Sequence, residues 1–218
     1  MTIRLLSIIG TRPQFIKAAA ISRAAKKLKI KHFIVDTGQH YSKNMSFSFV
    51  KELEFEQIDY FLKINKKQPI SQISEIMKKL ELLIPKLKPN FVIVYGDTNS
   101  TLAASIVCSK LNKRIAHVEA GLRSQNKNMQ EEINRILTDN VSSLLFTATK
   151  EATQNLLKEN FDKKKIYQLG DVMFDSIKYY ENKLKVLNND YSLLTFHRAE
   201  NVDDKKVLEL LVSSFLKL

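Results

Sequence analysis

The 218-residue sequence has one cysteine, five glycines, and no apolar run long enough to cross a bilayer. A single cysteine rules out an internal disulfide, and Cys108, in the apolar helix-like stretch "SIVCSKL", reads as a small buried hydrophobe rather than a nucleophile. No cysteine cluster and no close His/Glu pair has the spacing of a metal site, so no metal is expected. A Walker loop, a G-x-G-x-x-G fingerprint and a G-x-S-x-G elbow are all missing, which argues against a P-loop NTPase, a dinucleotide enzyme and a serine hydrolase. The N-terminus lacks a cationic n-region, and its apolar stretch is too short for a signal peptide. The expected compartment is therefore cytoplasmic, with no membrane partner.

Charge of one sign is in excess. Lys and Arg number 35 against 23 Asp and Glu, a formal net charge of +12. The lysines are scattered or sit at helix ends ("AAKKLKIK", "NKKQ", "FDKKKIY"), and no stripe pairs them with aromatics. They read as solvated helix faces, and no nucleic-acid partner is expected. A positive field still draws in a small anion.

What is present is alternation. Short β-branched runs ("IRLLSIIG", "HFIVDTG", "NFVIVYGD", "RIAHVEAG", "LLFTAT", "KIYQLGD", "YSLLTFH") alternate with helical stretches such as "QFIKAAAISRAAKKL", "ISQISEIMKKLELLIPKLK" and "EEINRILTDNVS". Near-continuous apolar strands imply burial on both faces, hence an α/β fold with a doubly wound parallel sheet. Gly10, Gly38, Gly96 and Gly170 each end a strand candidate, and Gly121 follows "HVEA". The unusual polar residues gather at the same ends: Arg12, Lys17, Gln39, His40, Asp97, Glu119 and His197. Ligands bind beyond the carboxyl ends of such sheets, so these residues are expected on one rim. "KLKVLNND" (183–190) reads as a linker, and the chain stops inside an amphipathic helix. A second domain is therefore expected to be cut off near its start.

The rim residues divide by chemistry. In "GTRPQFIK", Arg12 is expected just before a helix, with Pro13 at its first position and Lys17 one turn in. Two cations at a helix N-terminus suit a charged, oxygen-rich ligand. Asp97 in "YGDTNST" either caps the next helix or acts in the crevice. "HVEAGLRS" is expected to set His117 and Glu119 on one side of a strand, with Glu119 acting chemically or paired with Arg123 or Arg135. "QEEINR" places Glu131 and Glu132 in a first helical turn. "FHRAEN" ends the last strand candidate with His197 and Arg198. Carboxylates, histidines and two cations around one crevice suit proton transfer on an anionic substrate.

The motifs "GTRPQFIKAA", "TGQHY", "VYGDTNSTLA", "HVEAGLRS", "EEINRILTD", "GDVMFDS" and "HRAEN" resemble, in order and spacing, those of the non-hydrolysing UDP-N-acetylglucosamine 2-epimerases. The resemblance covers essentially the whole chain and includes the branch acting on diacetamido-glucuronate sugar nucleotides. It implies two Rossmann-like domains in a GT-B arrangement, of which this chain holds the N-terminal half. Residues 1–185 would form the first domain, and 186–218 a linker end plus the first strand and helix of an incomplete UDP-binding domain. It also implies inversion at C2 of the sugar by elimination and re-addition of UDP, with no cofactor and a homodimer when full length. At matching positions Asp97, Glu119, Glu131 and His197 look like the acid–base set. Arg12, Lys17, Gln39, His40 and Arg198 look like substrate contacts, Arg12 and Lys17 toward the phosphates. "QNKNMQEE" departs from the family's usual "MPEE" loop before Glu131. The interconversion of UDP-GlcNAc and UDP-ManNAc is the leading expectation, with this chain alone expected to be inactive. The alternatives are the diacetamido-glucuronate reaction, a non-catalytic remnant, a GT-B glycosyltransferase and a nonspecific nucleic-acid binder.

Overall fold

The computed structural model describes residues 3–39, 53–55, 57–183, 193–196 and 199–216. They fall in two compact units, Met1–Asn182 and Lys183–Leu218.

The first unit is built on seven parallel strands: β1 (Arg4–Ile9), β2 (Lys31–Asp36), β3 (Tyr60–Phe61), β4 (Phe91–Tyr95), β5 (Ile115–Val118), β6 (Leu144–Thr147) and β7 (Ile166–Gln168). Their order in the sheet is β3-β2-β1-β4-β5-β6-β7. Among the described residues six α-helices connect or follow them: α1 (Arg12–Lys27), α2 (Pro69–Leu87), α3 (Asn99–Lys110), α4 (Gln130–Val141), α5 (Lys150–Lys158) and α6 (Val172–Tyr180). The chain runs outward from β1 in one direction and then restarts at β4 in the other, so the topological switch point lies between β1 and β4. In open parallel sheets that point, at the carboxyl ends of the strands, is where a ligand crevice forms.

Alternate strand residues feed two cores. Leu6, Ile8, Val35, Val92, Val94 and Ile115 pack with Ile76, Leu80 and Ile84 of α2 and with Ala103, Ala104 and Val107 of α3. On the other face Ile9, Ile34, Ile93, Tyr95 and Ala116 pack with Phe15, Ala18 and Ala19 of α1. Both faces are covered, which is why the strands read as apolar runs rather than as an alternation. Cys108 is fully buried in α3, and burial pushes its thiol up to about 12. The sequence reading of a buried hydrophobe holds.

Two expectations change. β3 is a two-residue edge strand, too short for a periodic signal, and pairs with Val35 and Asp36 of β2. "YSLLTFH" forms no strand over its described residues 193–196, and its other residues lie outside the described set. The linker stretch 184–190 also lies outside it. In the second unit the described elements are a short helix, α7 (Ala199–Val202), and α8 (Lys205–Phe215), capped by Asp204 Oδ1 accepting from Lys206 N at 2.8 Å.

A polar seam crosses the sheet. Ser7 Oγ of β1 lies 2.8 Å from His32 Nε2 of β2 and 2.6 Å from the Tyr95 hydroxyl of β4. His32 Nδ1 is buried and meets no hydrogen-bond partner among the described residues. Burial lowers the His32 pKa from 6.5 to about 4, with the Asp59 carboxylate acting weakly against it. The unfolded chain therefore takes up this proton near pH 6.5 and the folded chain only near 4. The stability that this ring contributes is present above 6.5 and is lost as pH falls through that window. Urea midpoints of the wild type and His32→Gln should converge, or cross, between pH 7 and 4.5. A constant gap between them would show that the ring is not held neutral.

Candidate active site at the β1–β4 switch point

Thr11 precedes α1, and Gln14 one turn in is almost fully buried. Gln14 Oε1 accepts from Gly10 N at 2.8 Å and Thr11 N at 3.2 Å. Its Nε2 donates to the Tyr95 carbonyl at 2.8 Å and to the hydroxyls of Thr98 and Thr101 at 2.9 and 3.0 Å. One amide thus ties the end of β1 to the end of β4. Arg12 is the first residue of α1 rather than the residue before it, and it is exposed.

Lys17 turns inward, and its ammonium meets Glu119 Oε2. Glu119 sits one residue past β5 in left-handed backbone (φ +71°). The period-two expectation that aligned it with His117 therefore ends at Val118. Its partner is Lys17, not Arg123 or Arg135. Asp97 does not cap α3. Thr98 does so, its Oγ1 accepting from Thr101 N, while Asp97 Oδ2 pairs with Arg135 of α4. Burial pushes the Asp97 carboxyl above its ordinary range. Arg135 and Lys17 oppose that shift, and the charges of Glu119 and Glu131 add to it. Two carboxylates, each against its own cation, thus face the same crevice from adjacent strand ends. A carboxyl raised by burial and like charges is suited to proton transfer near neutral pH.

The "EEINR" pair splits by role. Glu131 is exposed in the first turn of α4, close enough for its charge to reach Asp97. Glu132 is buried and accepts from Ser124 N at 2.9 Å, Gln125 N at 3.2 Å and Arg135 Nη1 at 3.0 Å. Burial works to raise its carboxyl, but these donors outweigh burial and hold it below the usual range. Glu132 thereby anchors the "QNKN" loop from inside.

Gln39 Oε1 accepts from Ser100 N at 3.0 Å and Ser100 Oγ at 2.6 Å, which fastens the end of the β2 segment to α3. Arg12, Lys17, Gln39, Asp97, Glu119 and Glu131 all belong to the β1–β5 end of the sheet. His40, His197 and Arg198 lie outside the described residues. No group of three or more His, Cys, Asp or Glu able to hold a metal occurs among the described residues.

Sequence reasoning missed Gln14, Asn134 and Asp139. Gln14 had a signal: Thr11-Arg12-Pro13-Gln14 follows the S/T-x-x-E/Q capping pattern. Asn134 donates to the Asp97 carbonyl at 2.9 Å, and Asp139 bonds His117 at 2.7 Å. Both lie on one buried helix face whose partners come from distant segments, and no local pattern marks that.

Comparison with known proteins agrees with this fold. A family model described as UDP-N-acetylglucosamine 2-epimerase matches residues 22–218. The chain is 45% identical to the UDP-2,3-diacetamido-2,3-dideoxy-D-glucuronate 2-epimerase of Pseudomonas aeruginosa over 97% of its length, covering 62% of that protein. It is 44% identical to a UDP-N-acetylglucosamine 2-epimerase homolog of Methanococcus maripaludis, covering 98% of this chain and 62% of the relative. It also superposes on the crystal structure of the Methanocaldococcus jannaschii UDP-GlcNAc 2-epimerase in complex with UDP-GlcNAc and UDP, with a TM-score of 0.85 at 41% identity. That match covers 99% of this chain and 62% of the other. The chain therefore spans a little over three-fifths of the length of the relatives it matches.

Proposed function

Because the chain belongs to the UDP-N-acetylglucosamine 2-epimerase family, we propose that its crevice inverts C2 of a UDP-sugar. The observation that supports this most directly is the pair of carboxylates, Asp97 with Arg135 and Glu119 with Lys17, facing one crevice at adjacent strand ends. In this reading a carboxylate takes the C2 proton while the C1–O bond breaks and its electrons leave with UDP. A C1=C2 double bond remains in the sugar. A proton is then delivered to C2 from the opposite face, and UDP adds back at C1. No electron is gained or lost, so no redox cofactor is required.

Asp97, Glu119, Glu131 and His197 form the proposed acid–base set. Arg12 and Arg198, with Gln39 and His40, form the proposed substrate contacts. Lys17 is proposed to serve the leaving pyrophosphate as well as Glu119, since one ammonium can bridge two anions. Fixed cations are most effective where charge grows in the transition state. Residues 1–185 are proposed as the first domain and 186–218 as the opening of a UDP-binding one, in a protein that is cytoplasmic and, when full length, a homodimer.

UDP-GlcNAc is the proposed substrate. UDP-diacetamido-glucuronate is the second reading, on the strength of the 45% identity to the Pseudomonas aeruginosa enzyme. Incubating a full-length version of the protein with each sugar nucleotide in D2O and following C2 by proton NMR tests the reading. Deuterium at C2 together with the inverted epimer supports it and identifies the substrate. Transfer to an acceptor without C2 exchange would replace it with a glycosyltransferase.

A further inference from the structure

Three successive carbonyls at the end of β4 are each held by a side chain from a different element. Tyr95 O accepts from Gln14 of α1 at 2.8 Å and from Thr101 Oγ1 at 2.7 Å. Gly96 O faces His117 Nε2 of β5 at 2.8 Å, and Asp97 O accepts from Asn134 of α4 at 2.9 Å. A carbonyl can only accept, so His117 Nε2 is a donor.

The other ring nitrogen faces Asp139 Oδ1 at 2.7 Å, and both side chains are fully buried. Burial alone would raise the Asp139 carboxyl, but the His117 ring and the Arg123 guanidinium outweigh it and hold it below its usual range. The second Asp139 oxygen accepts from Gly121 N at 3.2 Å and Arg123 Nη1 at 2.8 Å. Arg123 is braced in turn by Glu159, which accepts from its Nε and Nη2 at 2.7 Å each. The charged groups around the ring are therefore Asp139 from α4, Arg123 from the loop after β5 and, through Arg123, Glu159 past the end of α5.

His117 thus reaches the turn that carries Asp97, and Asp139 reaches the turn that carries Glu119. We propose that the His117–Asp139 pair is a positioning device that fixes these two turns, and so the two carboxylates of the crevice, relative to each other. The inference rests on reading Asp97 and Glu119 as the reacting carboxylates. Neither His117 nor Asp139 touches the substrate. A hydrogen-bonded His–Asp pair at zero exposure is costly to assemble, and what it secures here is the geometry of two turns at once.

The test uses His117→Phe, which removes both donors, and Asp139→Asn, which keeps the shape and removes the charge. Leu80→Ala, in the α2 core on the same face of the sheet, is the control for lost stability alone. Carboxyl 13C titration of Asp97 is the readout, because that carboxyl is raised mainly by burial. Loosening its turn hydrates the carboxyl, and its midpoint falls toward the ordinary carboxylate range. Both site variants should shift it, and both should move the amide signals of Asp97 and Gly121 together. Leu80→Ala should lower the thermal midpoint without either change. Where C2 exchange is measurable, the site variants should lower kcat on the order of 10- to 100-fold with KM nearly constant. An unchanged Asp97 midpoint in a folded Asp139→Asn protein, or movement of only one turn, overturns the proposal. Absence of C2 exchange in a full-length version of the protein would overturn the epimerase reading instead, and the titration would still decide the positioning one.

Discussion

In a full-length version of the protein, Asp97→Asn is expected to lower C2 exchange on the order of 10³-fold, the scale set by loss of a positioned acid–base group. The substitution keeps the shape of the side chain, so packing against Arg135 and α4 is preserved. Its effect on stability should run the other way. Burial raises the Asp97 carboxyl in the folded state, so the folded protein holds that proton more tightly than the unfolded chain does. Ionisation of Asp97 at neutral pH therefore costs stability, a cost that grows as pH rises through the interval between the two pKa values. Asn removes the ionisation, while Arg135 keeps Glu132 as a partner. The thermal midpoint of Asp97→Asn at pH 7 should equal or exceed that of the wild type, and the loss of stability that Asp97 ionisation imposes as pH rises should be absent. Lost exchange with undiminished stability is the signature of a group retained for chemistry. Exchange at the wild-type rate would remove Asp97 from the acid–base set.

Gly121→Ala is expected to be strongly destabilising. Gly121 stands at φ +79°, and a Cβ there would lie 2.4 Å from the Ala152 carbonyl oxygen and 2.9 Å from Leu156 Cγ. The first obstacle is helix backbone and cannot move aside. Left-handed strain of about 1–2 kcal/mol adds to overpacking of about 1–3, a loss of roughly 2–5 kcal/mol. At about 2–4 °C per kcal/mol for a chain of this size, the thermal midpoint should fall by roughly 4–20 °C. Gly170 supplies the comparison: it has φ +90°, but a Cβ there would meet nothing within 4 Å. Gly170→Ala should show the backbone strain alone. Equal midpoints for the two variants would mean that the turn after β5 can back away from α5. Such a shift would also displace Glu119, so exchange should fall along with stability.

The sequence made the architecture legible because both faces of the sheet are covered. Six of the seven strands read as apolar runs, and their glycine-marked ends pointed to the rim. β3 escaped notice because two residues carry no period. The rim residues were legible as types and much less so as partners. Glu119 was readable as an acidic group needing a counter-charge, yet its partner, Lys17, is 102 residues away. A left-handed residue after β5 broke the alternation on which its orientation was judged. Asp97 was readable as a cap or a crevice acid, and Thr98 removes the first by capping α3 itself. Asn134 and Asp139 become meaningful only once α4 is laid beside β4 and β5, which no window of sequence displays.

Cys108 carries a further practical consequence. It is the chain's only thiol, and it lies at zero exposure where α3 packs on the sheet. An alkylating reagent can reach that sulfur only when this part of the molecule opens. The rate of labelling, followed by mass spectrometry without denaturant, therefore counts excursions of the central layer out of its native state. With one reactive atom per chain the count needs no deconvolution, and it can be read in the presence and absence of a nucleotide sugar. Ligand that engages the crevice should slow labelling at a site it never touches, in proportion to how far binding stabilises the whole unit.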